Sequence, residues 1–167
     1  MMGQEMMKDK TIVLRVNGRT ESISVPPHRT LLEALRFLGH VDVKCGCEKG
    51  DCGACAVLVD GVATDTCLTL AWTCEGKEIV TVSGLGTRDA PHPLHTAFMD
   101  GGGVQCGYCT PGIIIAAKSL LDRNPNPTEE DIRVGLSGNL CRCTGYTKIF
   151  EAVTSAAAIL RAEGGSK

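Results

Sequence analysis

Cysteine supplies most of the chemistry available to this 167-residue chain. Six of the ten lie in its first half (Cys45, Cys47, Cys52, Cys55, Cys67 and Cys74) and four in its second (Cys106, Cys109, Cys141 and Cys143). Cysteines serve as disulfide partners, as metal ligands or as small apolar residues. The opening segment MMGQEMMKDK has no apolar run of the kind that directs export. Cytosolic thiol pools keep cysteine pairs reduced, so metal coordination is the expected use. Each half holds enough thiolates for one four-ligand site.

Cys47, Cys52 and Cys55 stand as C-x4-C-x2-C, with Cys67 further on, which is the plant-type spacing for a two-iron, two-sulfur (2Fe-2S) cluster. Four thiolates must converge on such a cluster, so a loop carrying three of them has to curl around it with its amides facing the sulfurs. Gly46, Gly50 and Gly53 permit that curl and let N–H groups come close. Structural zinc sites pair C-x2-C with a second C-x2-C or with histidines, and this spacing does neither. Cys45 in place of Cys47 would break the spacing and is read as a bystander. Cys74, beside Trp72, fits no spacing and is assigned to core packing. The second set, Cys106-x2-Cys109 and Cys141-x-Cys143, is open to two readings by spacing: a second iron-sulfur site or a zinc cluster.

The segments between the cysteines indicate what must hold them. Thr11 to Val16 and Glu21 to Val25 alternate as strands around Asn17-Gly18, a tight-hairpin signal. Thr30 and Glu33 form a capping box for a helix through Leu38, with Leu31, Leu32, Leu35 and Leu38 on one face. A second hairpin, Ala56 to Val59 and Val62 to Asp65, turns at Asp60-Gly61, and a last strand is expected near Ile79 to Val82. Prolines and charges from Thr87 to Pro93 read as a linker. They divide the chain into residues 1–86, the linker 87–93, and residues 94–167. Beyond it the period turns helical. One helix is capped by Thr110 with Pro111 at its first position, carries Ile113, Ile114, Ala117, Leu120 and Leu121 on its apolar stripe, and ends at Asn124-Pro-Asn-Pro127. Another is boxed by Thr128 and Asp131, with Gly138 just past its end. A final one aligns Ile149, Val153, Ala156, Ala157 and Leu160. The fold class is thus α+β, a small sheet domain and then a helical bundle with its cysteines at helix ends.

Composition narrows the partners. A net charge of −2 and few aromatics give no surface for tracking phosphates or stacking bases, so nucleic acid is not expected. No stretch approaches the roughly 20 apolar residues of a membrane span, and a cytoplasmic protein is expected. His92 and His95 have a metal-like separation but flank a proline linker with no carboxylate or cysteine pair beside them, so they are read as solvated. Gly101 to Gly103 lacks the rest of any phosphate-binding motif and is read as a flexible turn before the second set. Arg142, between two thiolates, is open to three roles: offsetting cluster charge, contacting a partner or facing solvent.

The segments CGCEKGDCGAC, VQCGYCTPG and SGNLCRCTGY resemble the signature of the small iron-sulfur subunits of the xanthine dehydrogenase and carbon monoxide dehydrogenase family of molybdenum hydroxylases, over nearly the whole chain. That resemblance implies a plant-type ferredoxin-like β-grasp domain followed by an all-α four-helix-bundle domain, each with one 2Fe-2S cluster. It implies Cys47, Cys52, Cys55 and Cys67 as ligands of the flavin-side cluster, and Cys106, Cys109, Cys141 and Cys143 as ligands of the molybdenum-side cluster. It also implies that Gln105 hydrogen-bonds the pterin of the molybdenum cofactor and that Cys143 lies near that pterin. Molybdopterin and FAD would sit on a large and a medium partner subunit, in a dimer of heterotrimers. The chain would then be a conduit for single electrons, with the substrate site on another chain. Two other classes stay open at this stage: a self-standing two-cluster ferredoxin and a zinc-stabilised interaction module.

Overall fold

The computed structural model describes residues 8–164, so residues 1–7 of the opening segment lie outside what is described. Strands β1 (Lys10–Val16) and β2 (Arg19–Val25) pair antiparallel around Asn17 and Gly18, whose φ values of 51° and 74° suit a twisted two-residue turn. Alternation buries Ile12, Leu14 and Val16 from β1 and Ile23 and Val25 from β2 on one face. Helix α1 (Leu31–Phe37) starts where the capping box predicts: Thr30 Oγ1 accepts from Glu33 N at 3.2 Å, and the Glu33 carboxylate accepts from Thr30 N at 3.0 Å. Its Leu31, Leu32 and Leu35 join that core.

Strands β3 (Ala56–Val59), β4 (Val62–Asp65) and β5 (Glu78–Val80) complete a sheet of order β2-β1-β5-β3-β4. β1 and β5 run parallel and the other neighbours antiparallel. The last strand is shorter than its sequence pattern suggests. It leaves the ladder at Val80 because Thr81 and Ser83 turn to bond Asp42, and Val82–Gly84 forms a 3-10 turn. Cys74 is buried in the sheet's core, as its lack of any ligand spacing suggested.

Four helices follow: α2 (Pro93–Asp100), α3 (Thr110–Arg123), α4 (Glu129–Gly135) and α5 (Thr147–Gly164). They share a core that includes Leu94, Phe98, Ile113, Leu121, Ile132 and Val153. Two expectations need correction. His92 and His95 are not a solvated linker: His92 Nδ1 caps α2 by accepting from Leu94 N at 3.2 Å, and both rings are half-buried, with burial pulling their pKa values down. Helix α3 begins at Thr110 itself, because Cys109 already holds helical angles and its carbonyl accepts from Ile113 N at 3.1 Å. Of the glycines 101–103, Gly101 and Gly102 lie exposed in a turn, while Gly103 is buried and its N–H donates to Phe98 O at 2.9 Å.

All four residues of β3 are buried, which means the strand is covered on both sides. Val57 and Val59 face the core under α1, while Ala56 and Leu58 pack with Ile115 of α3. Ala63 N also donates to the buried Ser119 Oγ at 3.3 Å. The sheet and the helices therefore meet along β3 and α3, with the loop carrying Cys47, Cys52 and Cys55 running into β3 and the segment carrying Cys106 and Cys109 running into α3.

Asp42 secures the chain leaving the sheet. Burial raises its pKa, but bonds to its Oδ2 from Thr81 Oγ1 at 2.6 Å and Ser83 Oγ at 2.8 Å outweigh that and hold it below the ordinary carboxylate value. Because the folded value lies below the unfolded one, this stabilisation is complete above about pH 4 and is lost as pH falls through the folded value. Asp42→Ala is predicted to lower unfolding free energy by about 1–2 kcal/mol at neutral pH. The gap from wild type should shrink on acidification, as read by denaturant unfolding at several pH values.

Candidate metal centres

The loop between α1 and β3 carries three thiols of the first set. It curls through positive φ at Glu48 (55°), Gly50 (79°) and Gly53 (64°). The curl aims amides at sulfur: Lys49 N and Asp51 N donate to Cys47 Sγ at 3.4 and 3.2 Å. The Lys49 amide is the largest cause holding the Cys47 thiol down at about 7. Cys67 comes from the 3-10 turn Thr66–Leu68 and receives a bond from the Gly50 backbone. Burial, reinforced by the neighbouring Cys55 thiol, pushes Cys67 up to about 12. Thr66 Oγ1 donates to Cys55 O at 2.8 Å, which ties the two chain segments together.

Gly46 has a distinct reason. A Cβ there would stand 2.7 Å from Cys52 Sγ, so the sulfur occupies the space a side chain would need. Cys45, set aside by its spacing, donates its thiol to Glu48 Oε1 at 2.9 Å.

The second set lies on the α2–α3 and α4–α5 connections. Cys109 is half-buried, and burial with the adjacent Cys141 thiol pushes it up to about 12. At Cys141 burial acts upward, yet Thr144 Oγ1 at 3.1 Å and the amides of Cys143 and Thr144 outweigh it and lower the pKa. Cys106 and Cys143 are exposed and their thiols touch, and Gln105 beside them is exposed as well. Arg142 also faces solvent.

The thiols meet in pairs: Cys47 with Cys52, Cys55 with Cys67, Cys109 with Cys141, and Cys106 with Cys143. Among the described residues no three His, Cys, Asp or Glu side chains close on one point as a single ion requires. Side-by-side pairs suit a cluster of two irons that takes two protein ligands on each. The donor set fits in its chemistry too. Thiolate is the ligating form, and burial opposes it at Cys67 and Cys109, so a cationic partner is what would let all four sulfurs of a set ionise together.

Several residues around the cysteines escaped the sequence reading. Tyr146, at φ 71°, accepts from Cys141 N at 2.8 Å through its hydroxyl and donates to Asn139 O at 3.4 Å, fixing the approach to the second set. Tyr108 reaches the other loop and donates to Cys45 O at 2.5 Å. An aromatic lodged between two closely spaced cysteines was the available clue to Tyr108. For Asn139 only its proximity to Cys141 was visible.

Two family models match, and together they cover both cysteine sets. Residues 14–79 match the 2Fe-2S iron-sulfur cluster binding domain, and residues 81–154 the [2Fe-2S] binding domain. The chain is 49% identical over 148 residues to the nicotinate dehydrogenase small FeS subunit of Eubacterium barkeri, covering 88% of this chain and 94% of that one. It is 46% identical over 145 residues to the xanthine dehydrogenase iron-sulfur-binding subunit of Escherichia coli, with 86% and 91% covered. Among solved structures, quinoline 2-oxidoreductase from Pseudomonas putida 86 superposes with a TM-score of 0.88 at 40% identity, covering 96% of this chain and 99% of that chain. The chain is thus a two-domain 2Fe-2S protein with a ferredoxin-like first domain. It belongs to the small iron-sulfur subunits of the xanthine dehydrogenase family of molybdenum hydroxylases, and it is an oxidoreductase subunit.

Gly46→Ala is predicted to crowd Cys52 and strip most iron from the first set while the second keeps its own. Iron per chain and the visible circular dichroism spectrum would read this. Full iron content in the variant would show that the sulfur has room to move.

Proposed function

We propose that this chain carries single electrons between the molybdopterin centre of a large subunit and the FAD of a medium subunit in a molybdenum-containing hydroxylase. The observation that carries the reading is the arrangement of eight thiols as two sets of touching pairs, the second set opening to solvent at Cys106 and Cys143. Cys47, Cys52, Cys55 and Cys67 would hold the flavin-side cluster, and Cys106, Cys109, Cys141 and Cys143 the molybdenum-side cluster. Each bound cluster supplies a one-electron redox couple.

The chain's own residues set the conditions for that couple. N–H groups of Lys49 and Asp51 and the Thr144 hydroxyl donate to ligand sulfurs, which favours the more negative, reduced state and raises the potential. Burial of Cys55 and Cys67 keeps water from the inner side of the first site. The exposed edge at Gln105, Cys106 and Cys143 leaves room for a partner's cofactor, with the Gln105 amide free to hydrogen-bond a pterin.

In this reading the sheet residues up to 86 form a β-grasp domain, residues 87–92 join it to α2, and the helices from Pro93 onward form a four-helix bundle around the second site. The assembly is a dimer of heterotrimers in the cytoplasm. Among the described residues no helix is long and apolar enough to cross a membrane. The substrates in the relatives' names differ (nicotinate, xanthine, quinoline) while the small chain keeps its fold, which supports a large subunit that makes the choice of substrate.

Purification through a tag on this chain should bring down a molybdopterin-containing chain and a flavin-containing chain. Recovery of the tagged chain alone, still loaded with iron, would favour a free ferredoxin. Within the complex, Cys109→Ser is predicted to remove or alter one of two low-temperature EPR signals, leave the other unchanged, and block reduction of flavin by substrate. Two unaltered signals would refute the ligand assignment.

A further inference from the structure

The two cysteine-bearing loops are joined to each other as well as to their own domains. Leu140 N donates to the carbonyl of Cys52 at 3.0 Å, and Leu140 is covalently followed by Cys141. One hydrogen bond therefore links the backbone of a first-set cysteine to the residue preceding a second-set cysteine. The neighbouring position makes a parallel contact: Asn139 Nδ2 donates to Gly53 O at 3.2 Å. Asn139 is 6% exposed, so a lost bond there would not be replaced readily by water.

A second feature acts on the same spot from the other side. A Cβ on Gly112, near the start of α3, would lie 2.1 Å from Gly53 O and 3.0 Å from Ala54 Cα. Gly112 thus lets α3, which follows directly from Cys109, rest on the loop between Cys52 and Cys55. Glycine within a helix is destabilising relative to alanine, and this contact explains its presence. Gly53 itself has no room for a side chain, since its Cβ would meet Asn139 Nδ2 at 2.4 Å and its φ is +64°.

We propose that Asn139 is a positioning residue for exchange between the two centres. By clamping the Gly53 carbonyl it holds the Cys52–Leu140 hydrogen bond in register, and that bond is the bridge through which the centres couple electronically. The inference rests on the reading of both cysteine sets as cluster ligands. The step it governs is one electron passing from a reduced 2Fe-2S centre to an oxidised one, with no bond or proton changing hands.

Asn139→Asp conserves shape but turns a carboxylate oxygen toward the Gly53 carbonyl. In the purified complex both EPR signals should persist, because neither ligand set is altered, while the added negative charge should lower both midpoint potentials in the same direction. The magnetic splitting between the two reduced centres should shrink, and inter-centre electron equilibration after a flash-generated reductant should slow several-fold. Gly112→Ala, which pushes α3 from the same carbonyl, should produce the same pair of changes. Unchanged splitting and rate in an Asn139→Asp protein holding both centres would overturn the proposal. If the variants fail to hold both centres, amide hydrogen exchange of the wild-type complex decides: the Leu140 N–H must exchange slowly, like core amides, and loop-like exchange would overturn the bridge. Absence of two signals in the wild type would instead sink the assignment of function on which the proposal rests.

Discussion

Everything in this molecule is arranged around keeping four sulfurs charged and close together where burial opposes charge. The opposition is visible at Cys67 and Cys109, whose thiols burial raises to about 12. Relief comes from N–H groups and a hydroxyl aimed at sulfur, as at Cys47 and Cys141, and from the cation that the donor sets are built to receive. Aiming backbone amides at sulfur requires a chain that bends through left-handed angles, and this is the physical reason the first site sits on a glycine-rich loop instead of a strand or helix. The regular elements serve as the frame that ends and restarts at that loop.

The division into a sheet half and a helical half is real in sequence but incomplete in space. Strand β3 is buried on both faces, with α1 covering one and α3 the other, so neither half presents a finished surface without its neighbour. For a device that must hold two redox centres at a fixed separation, a shared seam has an advantage over a flexible tether. Motion between the halves would change the spacing of the cysteine sets, and the contacts of Asn139, Leu140 and Tyr108 tie the loops directly.

Local signals made much of this legible. Asn17-Gly18 and Asp60-Gly61 gave both hairpins because positive φ at successive residues is a short-range demand that few residue pairs satisfy. Thr30 with Glu33 and Thr128 with Asp131 gave two helix starts for the same reason, since capping is settled within four residues. The first cysteine set could be read from spacing, while the second needed resemblance, because C-x2-C plus C-x-C does not by itself choose a metal. What escaped was long-range. Helix α2 is short, opens on Pro93 and is capped by His92, and no capping or periodicity signal in the sequence marked it apart from the linker prolines beside it. The early end of β5 depends on Asp42, some forty residues away. Gly112 and Asn139 carry meaning only once Gly53 is known to lie against them, although a glycine inside an otherwise apolar helix was a hint of close backbone approach.

The most direct test of the account is quantitative metal and sulfide analysis of the anaerobically isolated complex, combined with Mössbauer spectroscopy of this chain's iron. About four irons and four acid-labile sulfides per chain, all in tetrahedral sulfur environments resolved as two distinct pairs, are what two 2Fe-2S centres require. Zinc in place of iron, or iron sufficient for a single pair, would contradict it.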